Sequence, residues 1–297
     1  MIYKKTKFII ICSIFLITLI FLYYTFPSKK IFTYDPVSIK YKININSDSN
    51  YKNKPVPKVL YRTWCTSTPT GICGGRKANI LSLQSTRTQL FDWKEVIYGD
   101  KEVNKFFDKE FGKNNIVTRA FHLINPKYGA AKADFFRYCL IYKYGGLYLD
   151  MKSCAVGNLP PIPKNKDIWI STWPKQTHLF KHGEFINWFI YARKHAPILK
   201  DVIEKIVNNI FYLHYNPDKV FNFSDSKNTK GIVLSVTGPI AYTIAIKESK
   251  HFNTVYFNNK INKILKYTCN INNSYKNMID IKQHYSSQTE PIIMPNI

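Results

Sequence analysis

The chain has 297 residues, of which 45% are hydrophobic and 15% aromatic, which excludes a disordered protein and suffices for one large domain or two small ones. Lysine and arginine number 43 against 19 acidic residues, and the formal net charge of +24 suits nucleic acid, acidic glycans or an anionic membrane. The basic residues form no long block, and RNA-binding and zinc-finger signatures are missing from the sequence. A diffuse solvated charge is therefore the favoured interpretation, and no nucleic-acid partner is predicted.

The first predicted element is a membrane anchor over residues 8–26. This run is uncharged and has 26 − 8 + 1 = 19 residues, about 28 Å as a helix and close to one hydrocarbon thickness. The preceding tail, 1–7, carries three lysines, and no small-x-small cleavage site follows the run. The sequence therefore predicts a single-pass type II membrane protein, with a polar stem at 27–55 and a lumenal domain at 56–297.

The cysteines agree with an oxidising compartment without proving it. Cys65 and Cys73 flank a short loop and could form a disulfide in a lumen. No C-x-x-C pair occurs, so a zinc site is not predicted. Glycosylation sequons stand at Asn222 and Asn272, although chance matches are expected in a chain rich in asparagine.

Strands and helices are predicted to alternate after Val56. Asp100 is expected to cap one helix and Gly112 to end it. Such alternation is typical of an α/β domain with a mostly parallel sheet, whose ligands bind beyond the carboxyl ends of the strands. The predicted strands lie within 56–64, 93–99, 147–150 and 167–172, and the predicted helices within 77–90, 100–112, 128–146 and 197–213.

The stretch ADFFRYCLIYKYGGLYLDMKS, 133–153, concentrates the candidate chemistry. Asp134, Arg137 and Tyr138 are spaced i, i+3, i+4 and share one helical face. The glycine pair 145–146 ends that helix, and Asp150 then falls at the end of the following strand. A carboxylate at a strand end is well placed to meet a ligand or a metal. On spacing alone, an ordinary helix-surface ion pair and a turn cap explain the stretch as well.

The same stretch resembles the core of the DXD-motif sugar transferases, glycosyltransferase family 32, A-x-x-[SA]-D-x-x-R-Y-x-x-L-Y-x-x-G-G-x-Y-x-D-x-D. Further segments resemble the family in order: the opening VPKVLYRTW, the segment FDWKEVIYGDKEVNKFF, a helix at FINWFIYARKHAPIL, the turn LSVTGP and a closing histidine segment. The resemblance spans about 56–293. The matching core residues are Ala130, Ala133, Asp134, Arg137, Tyr138, Leu140 or Ile141, Tyr144, Gly145, Gly146, Tyr148 and Asp150.

The resemblance implies a GT-A-like, Rossmann-type α/β fold with a mixed, mostly parallel sheet flanked by helices. It also implies a retaining hexosyltransferase, of mannosyl, galactosyl or glucosyl type. Such an enzyme moves a hexose from a UDP- or GDP-sugar to a hydroxyl of a glycan or glycolipid and gives an α-linkage. Many members of the family are type II membrane proteins, which agrees with the predicted anchor, and the predicted location is a Golgi or ER membrane with a lumenal catalytic domain.

The family's functional residues carry over to matching positions of this chain. Asp134, Arg137 and Asp150 are expected to be catalytic, and the Trp64 ring is expected to stack on the base or else to pack in the core. Asp150 and His284 are candidate ligands for Mn²⁺ or Mg²⁺, and Ser286 could close over the diphosphate with His284. The predicted donor-binding residues are Thr63, Trp64, Asp134, Arg137, Tyr138, Gly146, Lys152, Thr237 and Gly238, and the predicted acceptor residues are Asn187 and Trp173.

Lys152 departs from the family pattern, because the second acid of the motif is the residue that binds the metal most directly. Three interpretations stay open: Lys152 replaces the metal's charge, a metal is held by Asp150 with His284, or the site is a degenerate relic. A membrane-anchored protein that binds acidic glycans through the net charge of +24 is the alternative outside catalysis.

Overall fold

The structure is a computed structural model that describes residues 41–45, 50–68, 80–173, 180, 183–218, 229–269 and 288–295. Within these ranges, no helix combines the length and the apolar character needed to cross a membrane. Several predictions lie outside the described residues: the anchor at 8–26, the two sequons, Cys73, His284 and Ser286.

A six-stranded sheet in the order β2-β1-β3-β6-β5-β7 organises the domain. The pairs β1–β2, β1–β3 and β5–β7 are parallel, and β6 runs antiparallel to both of its neighbours. The predicted α/β class with a mixed, mostly parallel sheet is therefore confirmed. The strands are β1 (Val59–Thr63), β2 (Lys94–Tyr98), β3 (Gly146–Leu149), β4 (Cys154–Ala155), β5 (Ile168–Ile170), β6 (Phe189–Ala192), β7 (Val255–Phe257) and β8 (Leu265–Lys266).

The helices that cover the sheet begin and end close to the predicted positions. The helix after β2 starts at Asp100 itself, so the prediction that Asp100 is its N-cap is wrong by one residue. Gly99 is the cap, because the Glu102 carboxylate accepts the Gly99 N–H at 3.1 Å. The helices are α1 (Ile80–Gln89), α2 (Asp100–Glu110), α3 (Ile116–Leu123), α4 (Gly129–Tyr144), α5 (Pro197–Tyr215), α6 (Thr229–Val236) and α7 (Pro239–Glu248).

The segment FINWFIYARKHAPIL, expected to resemble a helix of the family, contains strand β6 instead. Phe189 and Tyr191 pack in one hydrophobic cluster, and Ile190 and Ala192 pack in the cluster on the opposite face of the sheet. A strand between β3 and β5 that is covered on both faces reads as a continuous apolar run. The run therefore forms a central strand, and helix α5 begins only at Pro197.

Part of the predicted stem packs on the domain. Ile43 and Ile45 are buried in the main hydrophobic cluster, and the Ile43 N–H donates to the Glu204 carboxylate of α5 at 3.2 Å. The backbone N–H of Tyr41 donates to the Asn208 side chain of the same helix at 2.8 Å. The compact fold therefore begins before Val56, where the sequence placed its start.

A small second sheet lies after the main motif and is tied by a disulfide. Strands β4 and β8 pair antiparallel, and Cys154 in β4 is bonded to Cys269, whose Cα lies 5.9 Å away. Cys65 is disulfide-bonded as well, and Cys73, its predicted partner, lies outside the described residues. Cys139 is free and buried in α4.

Candidate active site

The candidate site lies beyond the carboxyl ends of β1 and β3. The parallel register places Tyr61 opposite Tyr148, so Thr63 at the end of β1 and Asp150 just after β3 reach the same edge of the sheet. The hydroxyl of Thr63 lies 2.9 Å from that of Tyr148, which donates to the Asp150 carboxylate at 3.4 Å. This is the ligand-binding edge that the sequence predicted for an α/β sheet.

Asp134, Arg137 and Asp150 form a compact group, which we call the carboxylate–arginine cluster. The Nη2 atom of Arg137 lies 3.1 Å from Oδ1 of Asp150 and 3.3 Å from Oδ1 of Asp134. Helix α4 supplies the first two residues, and the end of β3 supplies the third. The side chain of Asp150 is 21% exposed against 11% for Asp134. The structure therefore brings the three predicted catalytic residues together, with Asp150 facing solvent most.

The guanidinium of Arg137 is fully engaged by its surroundings. Besides the two carboxylates, Nε donates to the Ala133 carbonyl at 3.2 Å and Nη1 to the Asn187 carbonyl at 2.7 Å. Burial lowers the pKa of Arg137, but the charges of Asp150, Tyr148 and Asp134 outweigh it and raise the pKa above its ordinary value. Arg137 therefore stays a cation whose N–H groups hold the two acids in place.

Asp134 is the buried acid of the cluster. The Asn187 amide donates to its Oδ1 at 3.0 Å, and the Thr237 side chain also hydrogen-bonds to it. Burial raises the pKa of Asp134 to about 7, although Arg137 opposes the rise. Asp134 can therefore gain or lose a proton near neutral pH.

Tyr138 and Thr237 belong to the hydrogen-bond network around Asp134. The Tyr138 hydroxyl accepts from the second N–H of the Asn187 amide at 2.9 Å and donates to the Thr237 carbonyl at 3.1 Å. The predicted donor-binding turn at Thr237 thus joins the cluster from the start of α7. Asn187, predicted as an acceptor residue, donates to Asp134 and Tyr138 from the segment just before β6. Spacing did not indicate these contacts, because the partners lie 53 and 49 residues away along the chain.

The two predicted glycines have packing reasons of their own. Gly146 lies at the start of β3, four residues and roughly 13 Å from Asp150. Its φ is 98°, and a Cβ there would lie 2.6 Å from the Val59 carbonyl oxygen of β1. A Cβ on Gly238 would lie 2.7 Å from the Leu234 Cα of α6. Both glycines therefore permit close backbone approach, which is sufficient to account for them.

The two predicted tryptophans lie in different surroundings. Trp64 follows β1 and packs, half-buried, against Leu83 and Met151, the middle residue of the DMK motif. Trp173 is half-buried and makes an edge contact with Tyr267, with ring centroids 5.0 Å apart. Trp64 thus lies next to the motif, while Trp173 packs against a separate hydrophobic cluster that contains Trp188.

Arg62, which the sequence analysis did not single out, holds the backbone of the motif. Its side chain is completely buried, and Nη1 donates to the carbonyls of Asp150 at 2.8 Å and Ser153 at 3.0 Å. Its Nε donates to Glu95 at 3.0 Å, and its Nη2 donates to Thr86 at 3.0 Å. The sequence signal that could have identified Arg62 is a charged residue inside an otherwise apolar strand. Arg62 fixes the turn that aims Asp150 at the cluster.

The described residues do not fit a two-acid metal site. A divalent cation of the Mg²⁺ type prefers hard oxygen ligands, but the position of the second acid carries the Lys152 ammonium. Oδ1 of Asp150 already contacts Arg137. Within the described part of the chain, no group of three His, Cys, Asp or Glu residues could hold a metal ion. His284, the other predicted ligand, lies outside it.

The fold and the cluster together are typical of α/β enzymes whose ligand binds in the crevice beyond the strand ends. Residues 77–169, which include the whole cluster, match the family described as glycosyltransferase sugar-binding region containing DXD motif. The recognition made from the motif is therefore confirmed by a match over this part of the chain.

Curated relatives are similar to a larger part of the chain. An initiation-specific alpha-1,6-mannosyltransferase of Candida albicans is 24% identical over 75% of this chain and 60% of its own length. An inositol phosphoceramide mannosyltransferase 3 of Schizosaccharomyces pombe is 23% identical over 54% and 40%. A mannosyl phosphorylinositol ceramide synthase of Saccharomyces cerevisiae is 27% identical over 54% and 39%. The chain thus spans 39% to 60% of the length of these relatives.

The solved structures that resemble the chain include that of a glycosyltransferase. The PaToxG glycosyltransferase aligns with a TM-score of 0.46 and 18% identity, over 69% of this chain and 77% of its own.

Proposed function

We propose that the chain transfers a hexose from a nucleotide-diphosphate sugar to an acceptor hydroxyl. The convergence of Asp134, Arg137 and Asp150 at the carboxyl edge of β1 and β3 is the observation that carries this proposal. The match of residues 77–169 to a sugar-binding region supports it. The names of the three relatives, two mannosyltransferases and one mannosyl phosphorylinositol ceramide synthase, make a mannose donor the first to test.

The cluster suits a reaction in which positive charge develops on the sugar ring. The bond from the anomeric carbon to the diphosphate oxygen breaks, and its electron pair leaves with the nucleoside diphosphate. The acceptor oxygen bonds to the anomeric carbon on the same face, and its proton passes to the departing diphosphate oxygen, which gives retention and an α-linkage. The Asp150 carboxylate would accept hydrogen bonds from the sugar and offset the positive charge, while Arg137 keeps both acids oriented.

The acceptor and the location are parts of the same proposal. We propose a glycan or glycolipid hydroxyl as acceptor, and a secretory-pathway membrane, Golgi or ER, as the site of action. The uncharged run at 8–26 would anchor the chain as a type II protein. The names of two relatives, which refer to phosphoinositol ceramide, support a glycolipid test.

A donor screen with the full chain in detergent tests the proposal. UDP- and GDP-hexoses are offered with and without a glycan or glycolipid acceptor, and the released nucleoside diphosphate is measured. We expect one donor to be consumed above the heat-inactivated control and its product to carry an α-linkage by NMR. If no donor is consumed, with or without acceptor and with or without Mn²⁺, the proposal is wrong.

A further inference from the structure

Lys152 carries a positive charge two residues after the Asp150 of the cluster along the chain. It is the last residue of the DMK motif, and its side chain is exposed. Among the described residues, it forms no ion pair with a carboxylate. An exposed ammonium with free N–H donors is a ready partner for a phosphate.

Tyr267 determines where this ammonium lies. The Nζ atom of Lys152 lies 3.9 Å from the centroid of the Tyr267 ring and donates to the Tyr267 hydroxyl. The ring is itself fixed, because Trp173 contacts it edge-on at 5.0 Å and Trp188 contacts it at 5.6 Å. The backbone N–H of Asp150 donates to the Trp188 carbonyl at 2.9 Å, so the segment that carries Trp188 lies beside the start of the motif.

The two-stranded β4–β8 sheet holds Tyr267 against the motif. The Ser153 hydroxyl donates to the Tyr267 carbonyl at 2.9 Å, and the Cys269 N–H donates to the Lys152 carbonyl at 3.3 Å. The disulfide between Cys154 and Cys269 joins the two sides of this small sheet covalently. Four consecutive positions, 152–155, are thus fastened to the segment 265–269.

Within the motif and the cluster, Lys152 is the cation that no carboxylate pairs. Arg137 lies between two carboxylates and donates to two carbonyls. The cluster therefore carries no spare positive charge when Asp134 and Asp150 are ionised. A leaving diphosphate needs a cation close to it, and a metal bound by two motif acids does not fit these residues.

We propose that Lys152 binds the diphosphate of the donor in place of a metal ion, and that Tyr267 is the positioning residue for its ammonium. This inference rests on the proposed function, since it assigns the diphosphate subsite of the same site. The ammonium offsets the negative charge that the leaving nucleoside diphosphate acquires.

Nucleotide binding in EDTA is the test, with UDP and GDP as probes and the full chain in detergent. We expect the wild-type protein to bind one of them in EDTA with a Kd that Mn²⁺ changes less than threefold. Lys152→Met should weaken binding about tenfold to hundredfold, as the loss of a charge-assisted hydrogen bond does. Lys266→Met, which removes an exposed charge from strand β8 of the same small sheet, should leave Kd within about twofold.

Three outcomes of these measurements would contradict the assignment of Lys152 to the diphosphate. If wild-type protein binds neither probe in EDTA, or if Lys152→Met and Lys266→Met behave alike, the inference is overturned. Lys152→Asp restores a motif with two acids and should lose binding in EDTA, with Mn²⁺ recovering part of it. Lys152→Asp that binds as tightly as wild type in EDTA would contradict the inference as well.

A double-mutant cycle separates positioning from a structural role for Tyr267. Tyr267→Leu should weaken nucleotide binding about two- to fivefold in the wild-type background, since it removes the cation–π contact. It should have almost no effect in the Lys152→Met background, because the residue acts through that ammonium. Equal effects in both backgrounds would show a merely structural role. Tyr267→Phe, which keeps the ring, covers the case in which Tyr267→Leu fails to fold.

This test and the donor screen fail independently. Nucleotide binding that depends on Lys152, without turnover of any donor, would support the diphosphate subsite and contradict the transferase. Donor turnover with nucleotide binding that needs Mn²⁺ and ignores Lys152 would support the transferase and overturn the inference.

Discussion

At the scale of single residues, the site depends on groups that hold the acids as much as on the acids themselves. Arg62 and Arg137 are both buried, and each donates to backbone carbonyls as well as to carboxylates. The planar guanidinium can make several directed hydrogen bonds at once, which the lysine ammonium cannot reproduce. Substitution by lysine therefore tests geometry while the charge is kept.

Arg62→Lys is expected to lower kcat/KM for the donor about tenfold or more, because the Asp150 turn loses its fixed carbonyl contacts. It should also lower the free energy of unfolding by about 2–4 kcal/mol. Chemical denaturation and donor kinetics measure the two effects. Arg87→Lys is the matched control, since Arg87 also pairs with Glu95 but is 56% exposed, and it should cost less than about 1 kcal/mol. Wild-type kcat/KM in Arg62→Lys would refute the positioning role.

The pH dependence of kcat/KM should report Asp134, whose pKa is raised to about 7 by burial. The carboxylate form pairs with Arg137, which in the proposed function keeps both acids oriented, so kcat/KM should fall as the pH drops below about 7, with one proton taken up. A profile measured from pH 5.5 to 8.5 checks this. Glu184, whose pKa burial also raises to about 7, is the control: Glu184→Gln should keep the profile. A flat wild-type profile would rule out this role for Asp134.

At the scale of elements, the unit α4–β3 could be predicted from sequence and its partners could not. The helical spacing of Asp134 and Arg137 and the glycine pair before β3 are local patterns, so they placed Asp150 correctly at a strand end. Strand β6 and the two-stranded β4–β8 sheet depend on contacts between distant segments. Cys154 and Cys269 are 115 residues apart, and neither spacing nor periodicity indicates that they meet.

Removing the disulfide of the β4–β8 sheet should lower both the stability of the protein and its affinity for the nucleotide. The double substitution Cys154→Ser with Cys269→Ser is expected to lower the free energy of unfolding by about 2–5 kcal/mol. Nucleotide binding in EDTA should weaken about two- to fivefold, as in Tyr267→Leu, because the same ring loses its support. Calorimetric unfolding and the Kd for UDP or GDP measure the two effects. An unchanged Kd would show that the disulfide of the β4–β8 sheet does not help to position the Lys152 ammonium.

At the scale of the whole molecule, the sequence predicted the fold class but placed the domain boundary too late. The stem around residues 41–45 is polar with no sustained period, and the two isoleucines of this segment give too short a pattern to indicate packing. The structure shows that Ile43 and Ile45 enter the main core beside α5. A short apolar pair in a polar segment reveals its role only when the distant helix that receives it is known.

Ile43→Ala is expected to lower the free energy of unfolding by about 2–4 kcal/mol, because it removes a buried side chain from the core. Lys42→Ala, at a neighbouring side chain that is 79% exposed and paired with Glu204, should cost less than about 1 kcal/mol. Urea denaturation of the two variants checks the contrast. Equal stabilities would mean that 41–45 is only a tether.

The most direct test of the whole account is the effect of Asp150→Asn on turnover of the best donor. Asp150 is the most exposed acid of the cluster and the one at the strand end, so the transferase account assigns it the closest contact with the sugar. We predict a loss of kcat of at least about a thousandfold, with the melting temperature within a few degrees of the wild type. Turnover within a few-fold of the wild type in a folded Asp150→Asn protein would contradict the account.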